Sequence, residues 1–193
     1  PTPAAANGAS SIAEVVEPVY FSVERGYFTT AFQLTLHCPT PGAVVRYTLN
    51  GSEPTETVGT EYTGPISIDR MRIVRAAAFR AGSLPSVTRT HTYLFNIPAA
   101  RLQLPVISVV TATNNLYGPT GIMEISPRNT TRHGIAWERP VSVELISPED
   151  NGGFQIDAGM RIQGGNYIRE RYNYRTTALP ESKYSFRLYF RGD

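Results

Sequence analysis

Apolar and polar residues alternate over most of the chain, with a period of two from residue 18 onward. In "FQLTLHC", Phe32, Leu34, Leu36 and Cys38 share one side, with Gln33, Thr35 and His37 on the other. Such alternation is the mark of a half-buried strand. Pro39 and Pro41-Gly42 stop this strand, and "AVVRYTL" starts the next with Val45, Tyr47 and Leu49 in phase. "YTGPISI" reads as a turn and a brief strand. "MRIVRAAAF" reads as an Ala-rich strand, with helix left open on propensity alone. "VTRTHTYLF" closes the series, with Thr88, Thr90 and Thr92 on one face. Six or seven short strands within about 80 residues, punctuated by turn residues, predict a small immunoglobulin- or fibronectin-like β-sandwich over residues 16–96.

The two prolines of "NIPAARLQLP" break the pattern and place a linker at 97–105. Beyond it, "VISVVT", "GIMEI", "RPVSVELIS", "FQIDAGMRIQG" and "YSFRLYF" make a second β-rich segment over 106–193. "PEDNGG" at 148–153 is a hairpin signal within it. Residues 164–182 read as one long polar loop, a length usually reserved for function or mobility. The first 15 residues, rich in Pro, Ala and Ser, read as a flexible arm. The fold class is therefore mainly β, in two parts. The chain stops at Asp193 directly after an amphipathic strand, which suggests a piece of something longer.

Composition narrows the function. Hydrophobic residues at 41% and charged residues at 18% suit a folded domain. The net charge of +2 is spread without a basic run, which argues against nucleic acid as a partner. No apolar run reaches membrane-spanning length. Cys38 is the single cysteine, so it has no internal disulfide partner, and its phase marks it as a small core residue.

The candidate chemistry is sparse. Asp69, Asp150, Asp157 and Asp193 show no motif spacing, and His37, His91 and His133 share no metal spacing. His37 and His91 are expected at the surface of their strands. Lys183, just before the last strand, is a candidate for nucleotide contact. Arg169, Arg171 and Arg175, interleaved with Tyr172 and Tyr174, are candidates for phosphate or sugar. Trp137, the only Trp, is a candidate for stacking on a glycan ring, against packing at a core or interface. Glu53 and Thr55 offer oxygens to a cation, but too few carboxylates gather there for a cage. Asn50-Gly51 predicts a structural type I′ turn with positive φ at both residues. No metal or other cofactor is expected on these residues.

Two resemblances add to this reading. "TPGAVVRYTLNGSEPT", "YTGPISI", "RAAAF", "GSLPS" and "TYLF" together resemble the β-sandwich module at the C-terminus of chitobiase-type hexosaminidases, over residues 18–96. The resemblance implies an extracellular module of a secreted or surface-attached bacterial multidomain protein. Its partners would be other domains of that protein, neighbouring subunits or cell-surface glycan. "LPVISVVT", "NNLYGPTGI", "WERPVSVELISPE", "FQIDAGMRIQGG" and "SKYSFRLYFRGD" resemble the start of the CotH family of kinase-like spore-coat proteins, over residues 104–193. That resemblance implies the front part of an atypical protein kinase, with ATP and Mg²⁺ as cofactors of the whole protein. Its catalytic aspartates would lie beyond this chain. The two expectations are thus a non-catalytic structural or interaction module and, as the alternative, part of a kinase.

Overall fold

A computed structural model describes residues 14–124, 128–149, 152–163 and 185–191. The first part is a sandwich. One layer is a five-stranded sheet in the order β2 (Gly26–Phe28), β9 (Arg89–Phe95), β8 (Arg72–Phe79), β5 (Val44–Thr48), β6 (Thr60–Glu61). All its neighbours are antiparallel except β2 and β9, which run parallel. The facing layer consists of two short pairs. β1 (Tyr20–Phe21) pairs with β4 (Leu36–His37), and β3 (Phe32–Leu34) pairs with β7 (Ile66–Ile68).

Alternation decides what fills the space between the layers. Leu34, Leu36, Ile66 and Ile68 from the short pairs meet Val45, Val74, Ala76, Ala78, Tyr93 and Phe95 from the large sheet. Cys38 packs at the margin of this core, and its thiol donates to the Glu17 carbonyl at 3.3 Å. Val16 and Val19 also enter the core, and Val15 bridges to Leu84. Glu14 and Val15, expected in the arm, are therefore part of the fold; the rest of the arm lies outside the described residues. The Ala-rich segment is strand β8, and Ala76, Ala77 and Ala78 are all buried, so both faces of β8 are covered.

The linker residues Ala99–Arg101 form a 3₁₀ turn, and the Tyr27 hydroxyl donates to the Leu104 carbonyl at 2.8 Å. The second part is one antiparallel sheet in the order β10 (Val106–Val110), β11 (Arg139–Ile146), β12 (Gly153–Gln163), β13 (Ser185–Tyr189). The expected hairpin joins β11 to β12, with Ile146 opposite Gly153. "GIMEI" forms no strand over its described residues. The segment 113–124 instead opens with a one-turn helix, α1 (Thr113–Leu116), and lays Leu116, Tyr117, Ile122 and Met123 over Val141, Val143, Met160 and Leu188. This covers one end of one sheet face. The opposite face of the sheet lies against the outer face of the sandwich. No helix among the described residues is long and apolar enough to cross a membrane.

Candidate functional site: the junction of the two parts

The junction starts from an unfinished edge. β2 pairs only with Tyr93–Phe95, so among the described residues the preceding residues of β9 have no strand beside them there. An unpaired edge needs partners for its N–H and C=O groups. Side chains of the second sheet supply them. Gln155 accepts from the Thr90 N–H at 3.1 Å and donates to the Thr88 carbonyl at 3.4 Å, the pair of bonds a neighbouring strand would make. Glu144 accepts from the Thr92 N–H at 3.1 Å and from the Thr92 hydroxyl at 2.5 Å.

Glu144 is fully buried, and Arg25 lies 3.4 Å away with 9% of its surface exposed. Burial pushes the Glu144 carboxyl above the ordinary carboxylate range, while Thr92 and Arg25 pull the other way. Opposite stands a second arginine, Arg75, also buried. It pairs with Glu53, donates to the Thr90 hydroxyl at 3.2 Å and to the Gly51 carbonyl at 3.1 Å. Burial also raises Asp157, which accepts from Gln155 at 3.3 Å.

The Asn50-Gly51 stretch has a structural role that differs from the expected one. Gly51 has φ of +81°, but Asn50 does not take positive φ, so the turn is not type I′. The strand before it, β5, pairs with β8 and β6, not across the Asn-Gly pair. Asn50 acts through its side chain, accepting from the Ser52 N–H at 3.1 Å and hydroxyl at 2.6 Å, an Asx turn. A Cβ on Gly51 would stand 2.8 Å from the Thr111 carbonyl, so the absent side chain lets the second part approach. Gly51→Val is therefore expected to cost roughly 1–3 kcal/mol, from φ strain and the displaced Thr111. Asn50→Val, which keeps an allowed φ and loses only the Asx turn, is expected to cost less than about 1 kcal/mol. Urea unfolding of both variants checks the order.

The other candidate residues fall in separate places. Glu53 is engaged by Arg75 and the Thr88 hydroxyl, and the Thr55 hydroxyl accepts from the N–H groups of Thr57 and Val58 at 3.3 and 3.0 Å. Among the described residues no three His, Cys, Asp or Glu side chains group as metal ligands. Trp137 is half-buried at a 3₁₀ turn, with the guanidinium groups of Arg132 and Arg139 over its ring at 5.6 and 5.1 Å. His37 and His133 are exposed. His91 is not a surface residue: it is 1% exposed and stacks on Phe21 at 4.1 Å. Its strand position puts it in phase with Tyr93 and Phe95, on the core face. Lys183, Arg169, Arg171, Arg175, Tyr172, Tyr174, Asp150 and Asp193 lie outside the described residues.

A cleft of about 750 Å³ runs along the junction between Glu24, Arg25, Thr88 and Arg89 of the sandwich and Gly153–Asp157 of β12. The structure thus brings together Arg25, Glu144, Gln155, Asp157 and Arg75, of which only Asp157 stands among the sequence candidates. A readable signal for the rest is the pair of polar residues, Ser142 and Glu144, alternating with valines in "RPVSVELIS".

Residues 23–90 match the family model of the Chitobiase/beta-hexosaminidase C-terminal domain. The resemblance of the second part to the CotH family rests on its sequence strings alone. No curated protein and no solved structure matches the chain. The sandwich is thus similar to a module associated with carbohydrate-active enzymes.

Proposed function

We propose that this chain is a non-catalytic spacing and interaction module of a secreted or surface-attached bacterial protein, working beside a carbohydrate-active or other surface enzyme. One observation carries the reading. The Glu144 carboxylate, fully buried between the sheets, joins Thr92 and Arg25 of the sandwich to the second sheet. A buried charge tied on both sides holds the two parts in one register, because sliding would leave it unpaired. A rigid two-part body sets a fixed distance between the segments joined to its two ends. Weak glycan contact, through Trp137, Tyr172 or Tyr174, belongs to the same reading as an accessory role.

The sole Trp makes the test direct. Trp137 fluorescence reports the second part, and far-UV circular dichroism reports strands throughout. Coincident urea transitions are expected if the parts unfold as one body. Two separate transitions would overturn the rigid-spacer reading. Incubation with ATP and Mg²⁺ is expected to add no phosphate to the purified chain by intact mass. Phosphorylation that a chelator abolishes would overturn the non-catalytic reading and favour the kinase alternative, in which ATP and Mg²⁺ serve the whole protein.

A further inference from the structure

The Asn50-Gly51 pair carries chemistry that its turn does not use. An asparagine followed by glycine is open to attack by its own backbone, because glycine puts no side chain in the way of ring closure. Asn50 is exposed and Gly51 is buried. The Ser52 N–H and hydroxyl donate to Asn50 Oδ1 at 3.1 and 2.6 Å. An N–H can only donate, so the atom that faces it is the oxygen, and the amino group Nδ2 is left free to depart. Two donors on Oδ1 are placed where negative charge collects when Cγ is attacked.

The attacking residue, by contrast, is held. The Gly51 carbonyl accepts from Arg75 at 3.1 Å. The Thr48 hydroxyl donates to the Ser52 carbonyl at 2.6 Å and ties down the next residue. The second part lies directly on Gly51: a Cβ there would stand 2.8 Å from the Thr111 carbonyl and 3.4 Å from Val110 Cγ1. Closing the ring turns the Gly51 nitrogen toward Cγ and carries its Cα and carbonyl off Thr111 and Arg75. A packed neighbour therefore opposes the reaction, and separation of the two parts removes that neighbour.

We propose that Asn50 is a deamidation site locked by the junction: its amide persists while the second part sits on Gly51, and it is lost irreversibly when the parts separate. The Gly51 nitrogen gives its proton to solvent base and bonds to Asn50 Cγ, and the carbonyl electron pair moves to Oδ1. The pair then returns, the Cγ–Nδ2 bond breaks, and Nδ2 takes a proton and leaves as ammonia. Water opens the resulting succinimide. Cleavage at Cγ gives aspartate, and cleavage at the main-chain carbonyl gives isoaspartate. Isoaspartate routes the backbone through the side chain and lengthens it by one atom just before Gly51. A segment fixed between Arg75 and Thr111 has no slack for that atom, so the isoaspartyl chain docks poorly. The proposal rests on the contacts of Gly51 and not on the spacer reading.

The whole folded chain is incubated in mildly alkaline buffer, and digests are followed by mass spectrometry with isoaspartate assigned by fragmentation. The digest separates Asn50 from Asn7 and Asn151, which also precede glycine. Asn50 is expected to deamidate at least tenfold more slowly in the native chain than in the urea-unfolded chain. Glu144→Ala, which weakens the junction, is expected to speed the native reaction at least threefold and to leave the unfolded rate unchanged. Wild type in urea below its transition, which needs no variant to fold, is expected to react faster as urea rises. The purified isoaspartyl chain is expected to refold with a lower urea midpoint than wild type, whereas Asn50→Asp, with the same charge and an ordinary backbone, keeps the wild-type midpoint. A native rate equal to the unfolded rate would overturn the proposal. So would a rate that neither Glu144→Ala nor low urea changes, or an isoaspartyl chain with the wild-type midpoint.

Discussion

Replacing Glu144 with Ala is expected to lower stability by about 3–5 kcal/mol, the largest effect of any single polar substitution here. The removed carboxylate accepts from the Thr92 N–H and hydroxyl and lies 3.4 Å from the Arg25 guanidinium. After truncation the Thr92 N–H stays buried with no acceptor, which costs about 1–3 kcal/mol. Arg25, 9% exposed, loses its carboxylate and becomes an uncompensated buried charge. The desolvation that raises Glu144 works in the other direction, since removing the carboxylate relieves it. The expected loss rests on the first two contributions exceeding the third. Glu144→Gln separates them: its carbonyl still accepts from Thr92, so it is expected to lose less than Glu144→Ala. Urea midpoints followed by Trp137 fluorescence and by circular dichroism measure both. An Ala variant within about 0.5 kcal/mol of wild type would mean that the network contributes little to the docking of the two parts.

This junction leaves little trace in the sequence, for a physical reason. Period-two patterning places β8, β9, β11, β12 and β13, because in a strand the alternation follows directly from which residues share a face. It does not say whether the second face meets water. Thr90 and Thr92 look like a solvent face in "VTRTHTYLF", yet they are 0 and 4% exposed because another sheet covers them. Glu144 and Ser142 look like the wet side of "RPVSVELIS" for the same reason, and both are fully buried. Two polar faces that satisfy each other leave no apolar signature in either sequence. The polarity of His91 points to the surface, although its phase with Tyr93 and Phe95 already puts it on the core face. Asn50-Gly51 misleads because the dipeptide favours a two-residue hairpin, whereas β5 finds its partners elsewhere in the chain. Local turn chemistry cannot anticipate a long-range pairing. Gly51 does take the positive φ that its sequence context suggests, but the physical need is also its approach to Thr111, a contact 60 residues away in sequence.

Acidification is expected to destabilise the fold through His91. Its ring lies flat on Phe21, with Tyr93 beside it, in the sandwich core. Burial, first, and the positive charges of Arg25 and Arg89, second, push its pKa down to about 3. The carboxylate of Glu24 stands 3.7 Å from Nδ1 but is largely exposed, so it compensates weakly. In the unfolded chain His91 takes a proton near pH 6.5. Between the two values the unfolded state binds more protons, so stability falls as pH falls. The contribution is fully present above about pH 6.5 and is lost progressively down toward pH 3. At pH 4 the expected loss from this residue is about 3 kcal/mol relative to pH 7. Glu144 and Asp157 act in the opposite sense, because both carboxyls are raised and their protonation on acidification favours the folded state. The two effects separate in a His91→Phe variant, which keeps an aromatic ring for Phe21 to stack on and has no proton to gain. Urea unfolding of wild type and variant at pH 7 and pH 4 is the measurement. Wild type is expected to lose about 3 kcal/mol more than His91→Phe between these pH values. Equal losses would show that His91 titrates alike in both states and is not held neutral by the core.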